Sequence, residues 1–557
     1  MRGHPASRWF VAALCLQFVV LGAVQAWRDA PTFDEAYHVA TGVTALTRHQ
    51  LRITPEHPPL ASMLAALPAL AARVTIPRGA SWRSGDSDGY SAEFMRAQVP
   101  AKRLHRIIFL ARLVPLAEGV AVALLAYALA VSLFGTAEAT LAATLWLTFP
   151  MVLGLAHLDG VDLPFTLTTL LLSLALLKYV RGPTARAAMA VGLVCGLALT
   201  VRLTAFVLLP AAIVAVLYVG RARLARAASH CGLILGAAWA VVWLVYRLAS
   251  PAPNFRHTAL GVSAPPWTRL VLFVPWPREF AFGIEKQASI ARALAPGYLL
   301  GHSWHGARWW FWPGSMLVKV PATTLLVLTV GLLLWRTLGR RTVREGALVL
   351  MLPATAVSAF TILQPLPLGL RYLLPAIALG IVAASPFVRV ARSAIGGRVV
   401  VLTVVLAQLF WLWDSAPRSL AWTAPPFRPG YQFVADSNLD WGQDLYRLRP
   451  WSRVHPDATI LYFGTVDPSL VVGARHSARS GGPLATRGRW WAVSASLLTD
   501  YFSTPLAWMR AYCPVGIIGD SILLYHFDKP PDQRLRGPAK PPSVCDARFS
   551  RVVSQRR

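Results

Sequence analysis

Charge is scarce in this chain, and acidic charge is scarcer. Charged residues make up 14% of the 557 residues and hydrophobic ones 55%. Soluble proteins carry about 25% charged residues. A soluble chain this apolar has no way to cover its own surface, so much of it must face lipid. The same arithmetic excludes a disordered chain and a collagen-like fibre. Only five cysteines occur, with no Cys-x-x-Cys pair or Cys/His cluster. That excludes a disulfide-stapled secreted module and gives no structural metal site. No glycine-rich phosphate loop or dinucleotide-binding fingerprint is present, so no nucleotide is required. No internal repeat of the kind that marks inverted-repeat transporters is found.

Basic charge is in excess: 54 Lys and Arg against 25 Asp and Glu, or +29. Most of it falls in short gaps between apolar runs, and no basic helix or RNA-binding signature is found. Membrane topology explains the excess, and nucleic acid is not a partner. Apolar runs lie near 9–26, 107–130, 137–154, 163–179, 186–201, 203–219, 229–248, 318–335, 344–363, 371–388 and 397–414. These predict about eleven transmembrane helices. Arg2 and Arg8 precede the first run. Further clusters are Lys178, Arg181 and Arg186; Arg221, Arg223 and Arg226; Arg336, Arg340, Arg341 and Arg344; and Arg389, Arg392 and Arg398. One orientation, with the N-terminus inside, makes all five groups cytoplasmic. Val24-Gln25-Ala26 also resembles a cleavage site, but the first run is read as a retained anchor.

The expected fold is an α-helical polytopic membrane protein over residues 1–415, with a small α/β extracytoplasmic domain over 416–557. Large outer loops are expected at 27–106 and 249–317. The tail gains Pro, Ser, Asp and Arg and holds strand-like runs at Thr459–Thr465, Trp490–Leu497 and Val515–Tyr525. Cys513 and Cys545 lie in it and would pair if it faces an oxidising compartment. The aromatic Trp304, Trp309, Trp310, Trp312, Trp490 and Trp491 fall in outer segments, where interfacial anchoring is the default.

The chemistry-bearing residues gather at the outer mouths of the spans. Asp34 and Glu35 follow the first span, in Pro31-Thr32-Phe33-Asp34-Glu35. A helix to about Arg48, the run Pro55-Glu56-His57-Pro58-Pro59-Leu60 and a second helix to about Ala72 are expected next, lying along the membrane surface. Asp162 sits in Asp159-Gly160-Val161-Asp162-Leu163-Pro164, between the third and fourth spans. Carboxylates beside a bilayer are costly unless paired or functional. Helix capping also accounts for Asp162, and a solvated acidic turn for Asp34 and Glu35. Arg202, Lys319 and Arg371 break the inside preference for positive charge. They read either as side chains snorkelling to headgroups or as a site for a lipid-borne phosphate.

Taken in order, these motifs resemble glycosyltransferase family 39, which contains the protein O-mannosyltransferases and bacterial aminoarabinose transferases and has the membrane fold called GT-C. Asp34-Glu35, Glu56-His57-Pro58-Pro59-Leu60 and Asp162-Leu163-Pro164 carry the resemblance. So do Pro296 to Gly301 with Lys319-Val320-Pro321, Gly369 to Pro375, and Asp436-Ser437-Asn438-Leu439-Asp440-Trp441-Gly442-Gln443-Asp444. The resemblance implies a polyprenyl-phosphate-linked sugar donor used on the extracytoplasmic face, and a protein, lipid or polysaccharide acceptor. It implies catalytic roles for Asp34 and Asp162, with Glu35 beside them. It places Glu56, His57, Arg202, Lys319 and Arg371 at the donor phosphate or substrate. Relatives usually carry Lys where Arg202 stands, and many have Glu where His302 stands. A divalent metal ion on Asp34, His57 and Asp162 is left open, since relatives differ.

The residue types fit that chemistry. A sugar on a lipid phosphate has its leaving group already. A carboxylate takes the acceptor proton, cations neutralise the departing phosphate, and one displacement inverts the anomeric centre. A transporter or flippase of lipid-linked glycans is the alternative, but it would place ionisable groups near the bilayer midplane. The Ala/Leu/Val/Arg-rich spans suggest a bacterial inner membrane.

Overall fold

The computed structural model describes residues 5–251, 271, 273–292, 295–392, 395–473, 476–479, 489–499, 506–529 and 531–535. Eight of its helices are long and apolar enough to cross a membrane: Ala6–Arg28, Ala101–Leu133, Asp162–Arg181, Leu203–Gly220, Leu224–Ala249, Arg340–Leu363, Leu370–Ala391 and Ile395–Ser415. Two bent pairs bring the count to ten. Thr136–Leu147 and Pro150–Ala156 meet at 62°, and Phe311–Lys319 and Ala322–Thr337 at 119°. Both breaks fall at a proline, Pro150 and Pro321, which lacks the N–H to continue the ladder. The remaining expected span is the short apolar helix Ala185–Val201.

The spans differ in burial. Asp162–Arg181 is 78% buried inside the protein and Leu370–Ala391 72%, whereas Ile395–Ser415 is only 22% buried. Helices apolar all round belong either in a protein core or in lipid. Here the two most enclosed ones pack on each other and open with Asp162 and Arg371. The most enclosed part of the bundle therefore carries two of the charged residues singled out above.

Behind the first span, Thr32 starts the helix Phe33–Arg48. Its N–H (2.7 Å) and hydroxyl (3.0 Å) donate to Glu35 Oε2, closing a capping box. This helix packs on Leu60–Ala69, and the crossing is tight: a Cβ on Gly42 would stand 1.9 Å from the Ser62 carbonyl oxygen. Ala36, Val39, Ala40 and Val43 are fully buried. The helix is covered by protein on most of its surface, unlike the surface-lying helix expected from its sequence.

The tail folds around a five-stranded mixed sheet in the order β4-β3-β5-β7-β6: β3 Thr459–Tyr462, β4 His476–Arg479, β5 Trp490–Ser494, β6 Gly516–Ile518 and β7 Ile522–His526. A separate hairpin pairs β1 Pro296–Leu299 with β2 His302–His305. β3 runs parallel to β4 and β5, and β7 antiparallel to β5 and β6. The expected single strand Val515–Tyr525 is a hairpin. Gly519 and Asp520 both adopt positive φ, 65° and 69°, in the three-residue turn between β6 and β7. Cys513 is disulfide-bonded; Cys545 lies outside the described residues.

Candidate active site

The tail does not merely sit beside the bundle. Phe33 N–H donates to the Trp441 carbonyl at 2.9 Å, and Ala30 N–H to the Gln443 carbonyl at 2.8 Å. The segment 436–444 thus holds the start of the outer helix from one side. It holds the Gly369–Arg371 segment from the other: Asn438 Oδ1 accepts from Leu370 N–H at 2.9 Å, and Ser437 Oγ donates to the Leu368 carbonyl. At Gly369, φ is 122° and a Cβ would stand 2.4 Å from Ser437 Oγ, so only glycine fits.

Between these supports four charged side chains meet. Arg371 Nη1 lies 3.3 Å from Asp34 Oδ2 and 3.4 Å from Asp162 Oδ2. Asp162 Oδ1 is bonded to Arg202. Arg371 stacks on the Trp441 ring at 4.2 Å, and Arg202 on Tyr372 at 4.3 Å. Residues 34, 162, 202 and 371, far apart in the sequence, form one alternating line of charge, Asp34–Arg371–Asp162–Arg202. Asp162 is 4% exposed and each arginine 10%, whereas Asp34 is 26% exposed. Asp34 is the carboxylate that an incoming molecule reaches. Nε of Arg371 is buried and has no hydrogen-bond partner among the described residues.

Glu35 lies elsewhere. Its carboxylate is buried and takes both arms of Arg112 at 2.7 Å each, as well as Thr32 and the Asp159 N–H at 2.9 Å. Burial alone would raise its pKa; the Arg112 guanidinium overrides that and holds the carboxyl below its usual range. Arg112 also binds the carbonyls of Ala26, Asp29 and Ala30 at 2.7–2.8 Å. The pair is a clamp on the loop behind the first span. Glu35 has no oxygen left for a substrate, which corrects its expected place beside Asp34 as a catalytic group.

Lys319 is also reassigned. Its ammonium donates to the carbonyls of Leu420 (2.8 Å), Trp422 (2.5 Å) and Asn438 (2.7 Å). All three of its protons are used, so it staples the tail to the bend at Pro321. Glu56 pairs with Lys286 at 2.9 Å. His57 meets His38 edge-to-face at 5.0 Å. Burial first, and then the neighbouring His38, push the His57 imidazole down to about 3, while burial lowers His38 too. Both are neutral rings at neutral pH. His302 lies exposed on β2.

The open question of a metal has a geometric answer. Among the described residues no group of three His, Cys, Asp or Glu side chains is arranged to hold a metal ion. A guanidinium bridges Asp34 and Asp162 where a cation would sit, so Asp34, His57 and Asp162 do not fit as its ligands.

Several supporting residues escape a reading of the sequence. Asp29 accepts from Arg447 at 2.7 Å and pairs with His157 at 3.0 Å. Asp159 is buried, and its Oδ2 has no hydrogen bond among the described residues. Burial, and then the Glu35 charge, raise its pKa well above the usual range. It lines a small cavity with Asp162 and Trp441. The tail motif and the His157–Asp162 stretch signalled the region but not these pairings.

A family model described as dolichyl-phosphate-mannose-protein mannosyltransferase matches residues 104–246. This stretch includes Arg112, Asp162 and Arg202. No curated protein matches the chain. Among solved structures, the chain is similar to the S. cerevisiae protein O-mannosyltransferase complex bound to its sugar donor, with a TM-score of 0.51 and 11% identity over 74% of this chain and 90% of that one. It is also similar to ArnT from Cupriavidus metallidurans bound to undecaprenyl phosphate, with a TM-score of 0.47 and 13% identity over 92% and 97%. The archaeal oligosaccharyltransferase AglB from Archaeoglobus fulgidus, in complex with an inhibitory peptide and a dolichol-phosphate, has a TM-score of 0.47 and 12% identity over 94% and 75%. The chain is a multi-pass membrane protein with the GT-C fold, as its motifs led one to expect.

Proposed function

We propose that this protein is a membrane glycosyltransferase that moves a sugar from a polyprenyl-phosphate donor to an acceptor hydroxyl. The reaction takes place on the extracytoplasmic face, which also carries residues 416–557. The observation that carries the reading is the alternating line of Asp34, Arg371, Asp162 and Arg202, with Asp34 its most open member. The Arg371 guanidinium takes the donor phosphate at headgroup depth, and Arg202 adds positive potential behind it. The acceptor O–H approaches the sugar from the side of Asp34. Its oxygen forms the new bond to the anomeric carbon as the carbon–oxygen bond to phosphate breaks. The proton passes to the Asp34 carboxylate and the electron pair leaves with the phosphate. Asp162 holds both arginines in place and stays ionised between them.

The family match over 104–246 supports this reading. The deciding experiment incubates the purified full chain with a radiolabelled polyprenyl-phosphate sugar and bacterial membrane acceptors. Label is expected to move into an acceptor in wild type and to stay on the lipid when Asp34 is replaced by Asn. Transport of the intact labelled lipid across vesicles, without cleavage, would overturn the reading.

A further inference from the structure

The end of the bundle remote from the line of charge carries a second unusual feature. Arg371 opens Leu370–Ala391 just after Arg340–Leu363 ends, so Arg340 marks the far end of that span. At about 1.5 Å per residue the two ends are roughly 30 Å apart. There a cavity of about 610 Å³ is lined by Trp335, Leu348 and Tyr218 together with Arg336, Arg340 and Arg344. None of these three arginines has an ion-pair partner among the described residues. The neighbouring Glu345 is buried and already bound to Arg181 (2.7 Å) and Arg341 (2.8 Å). No carboxylate lines the cavity. Its wall is also irregular. Residues Ala347–Met351 form a π turn inside the span, a wide turn found frequently at functional sites.

Three free guanidiniums above an apolar slot match one kind of occupant: an amphiphile with an anionic head and a hydrocarbon tail. By the distribution of basic residues this end is the cytoplasmic one, where membranes concentrate acidic lipids. We propose that the cavity is a binding site for an anionic phospholipid. The phosphate lies among Arg336, Arg340 and Arg344, and an acyl chain lies along Trp335 and Leu348. The inference does not depend on the sugar-transfer reading, whose residues lie at the other end.

The test is native mass spectrometry of the purified full chain titrated with phosphatidylglycerol and, separately, phosphatidylcholine. Wild type is expected to retain phosphatidylglycerol adducts that phosphatidylcholine does not match. The Arg336→Gln, Arg340→Gln, Arg344→Gln variant should lose affinity by at least about tenfold, the scale of one lost charged hydrogen bond. Arg186→Gln, exposed at the start of the helix Ala185–Val201 at the same end, should bind as wild type does. Leu348→Trp fills the slot while keeping the three arginines. It should also lose the adducts, which keeps the test open if the triple variant misfolds. Competition by inorganic phosphate as effective as that by the lipid would show an anion site without a lipid slot and overturn the proposal. So would equal binding of the two lipids, or full binding by Leu348→Trp.

Discussion

Two adjacent carboxylates, Asp34 and Glu35, have opposite fates, and the cause is helical geometry. Consecutive residues on a helix point about 100° apart, so one faces the line of charge and the other the Arg112 clamp. The two substitutions should therefore fail differently. Asp34→Asn keeps the shape, leaves folding nearly intact and removes the proton acceptor. It should lower turnover about 10²–10⁴-fold, the usual worth of a positioned general base. Glu35→Gln leaves the Arg112 charge buried and half-paired. It should cost about 3–5 kcal/mol of stability, seen as a lower melting temperature in detergent, with activity lost only as folded protein is lost. If Asp34→Asn turned over at near the wild-type rate, the base would have to be Asp162 or Glu56. Arg371→Gln should weaken binding of an undecaprenyl-phosphate probe by about 1.5–3 kcal/mol, the worth of one charged hydrogen bond. An unchanged Kd would mean that Arg371 serves only to hold the two carboxylates.

At the scale of elements, the spans were readable because the bilayer is an exacting solvent. It admits only long apolar helices, and the runs of the sequence correspond to helices throughout the described bundle. The structure adds a Thr-x-x-Glu box at the start of the helix Phe33–Arg48, a local pattern that went unread in the sequence. What the sequence hides is partnership. Arg112 sits in an apolar run and reads as a span residue, yet its partner is 77 positions away. The roles of Lys319 and Asp29 likewise depend on carbonyls and side chains of the tail, and no local pattern reports them. The paired outer helices carry a testable consequence of their own. His38 and His57 are held neutral, with His57 depressed to about 3 by burial and by His38. An unfolded histidine titrates near 6.5. Between these values the unfolded chain binds more protons, so stability is complete above about pH 6.5 and falls as pH drops towards 3. Thermal unfolding between pH 7 and pH 4 should show this loss, and His57→Gln should flatten its slope. An unaltered slope would place the acid sensitivity in other groups.

For the molecule as a whole, the tail is a structural part of the site. Segment 436–444 touches the start of the helix bearing Asp34 and the start of the span bearing Arg371, and Lys319 fastens it to the bundle. The expectation that Lys319 binds the donor phosphate and its reading as a staple lead to different measurements. As a phosphate ligand, Lys319→Met would raise KM for the donor and leave the fold untouched. As a staple, the change removes three hydrogen bonds and leaves three buried carbonyls without donors, at roughly 1–3 kcal/mol for each unsatisfied group. The tail should then loosen first. Limited proteolysis should cut within 416–448 at protease concentrations that spare wild type, and the melting temperature should fall. The rate should fall with it, because Arg371 and Asp34 lose the strut that keeps them within 3.3 Å. Donor affinity, measured on the fraction that remains folded, should change little. A protease-resistant Lys319→Met variant with weakened donor binding would return Lys319 to the phosphate. It would also leave the closeness of Asp34 and Arg371 to be set by the bundle alone.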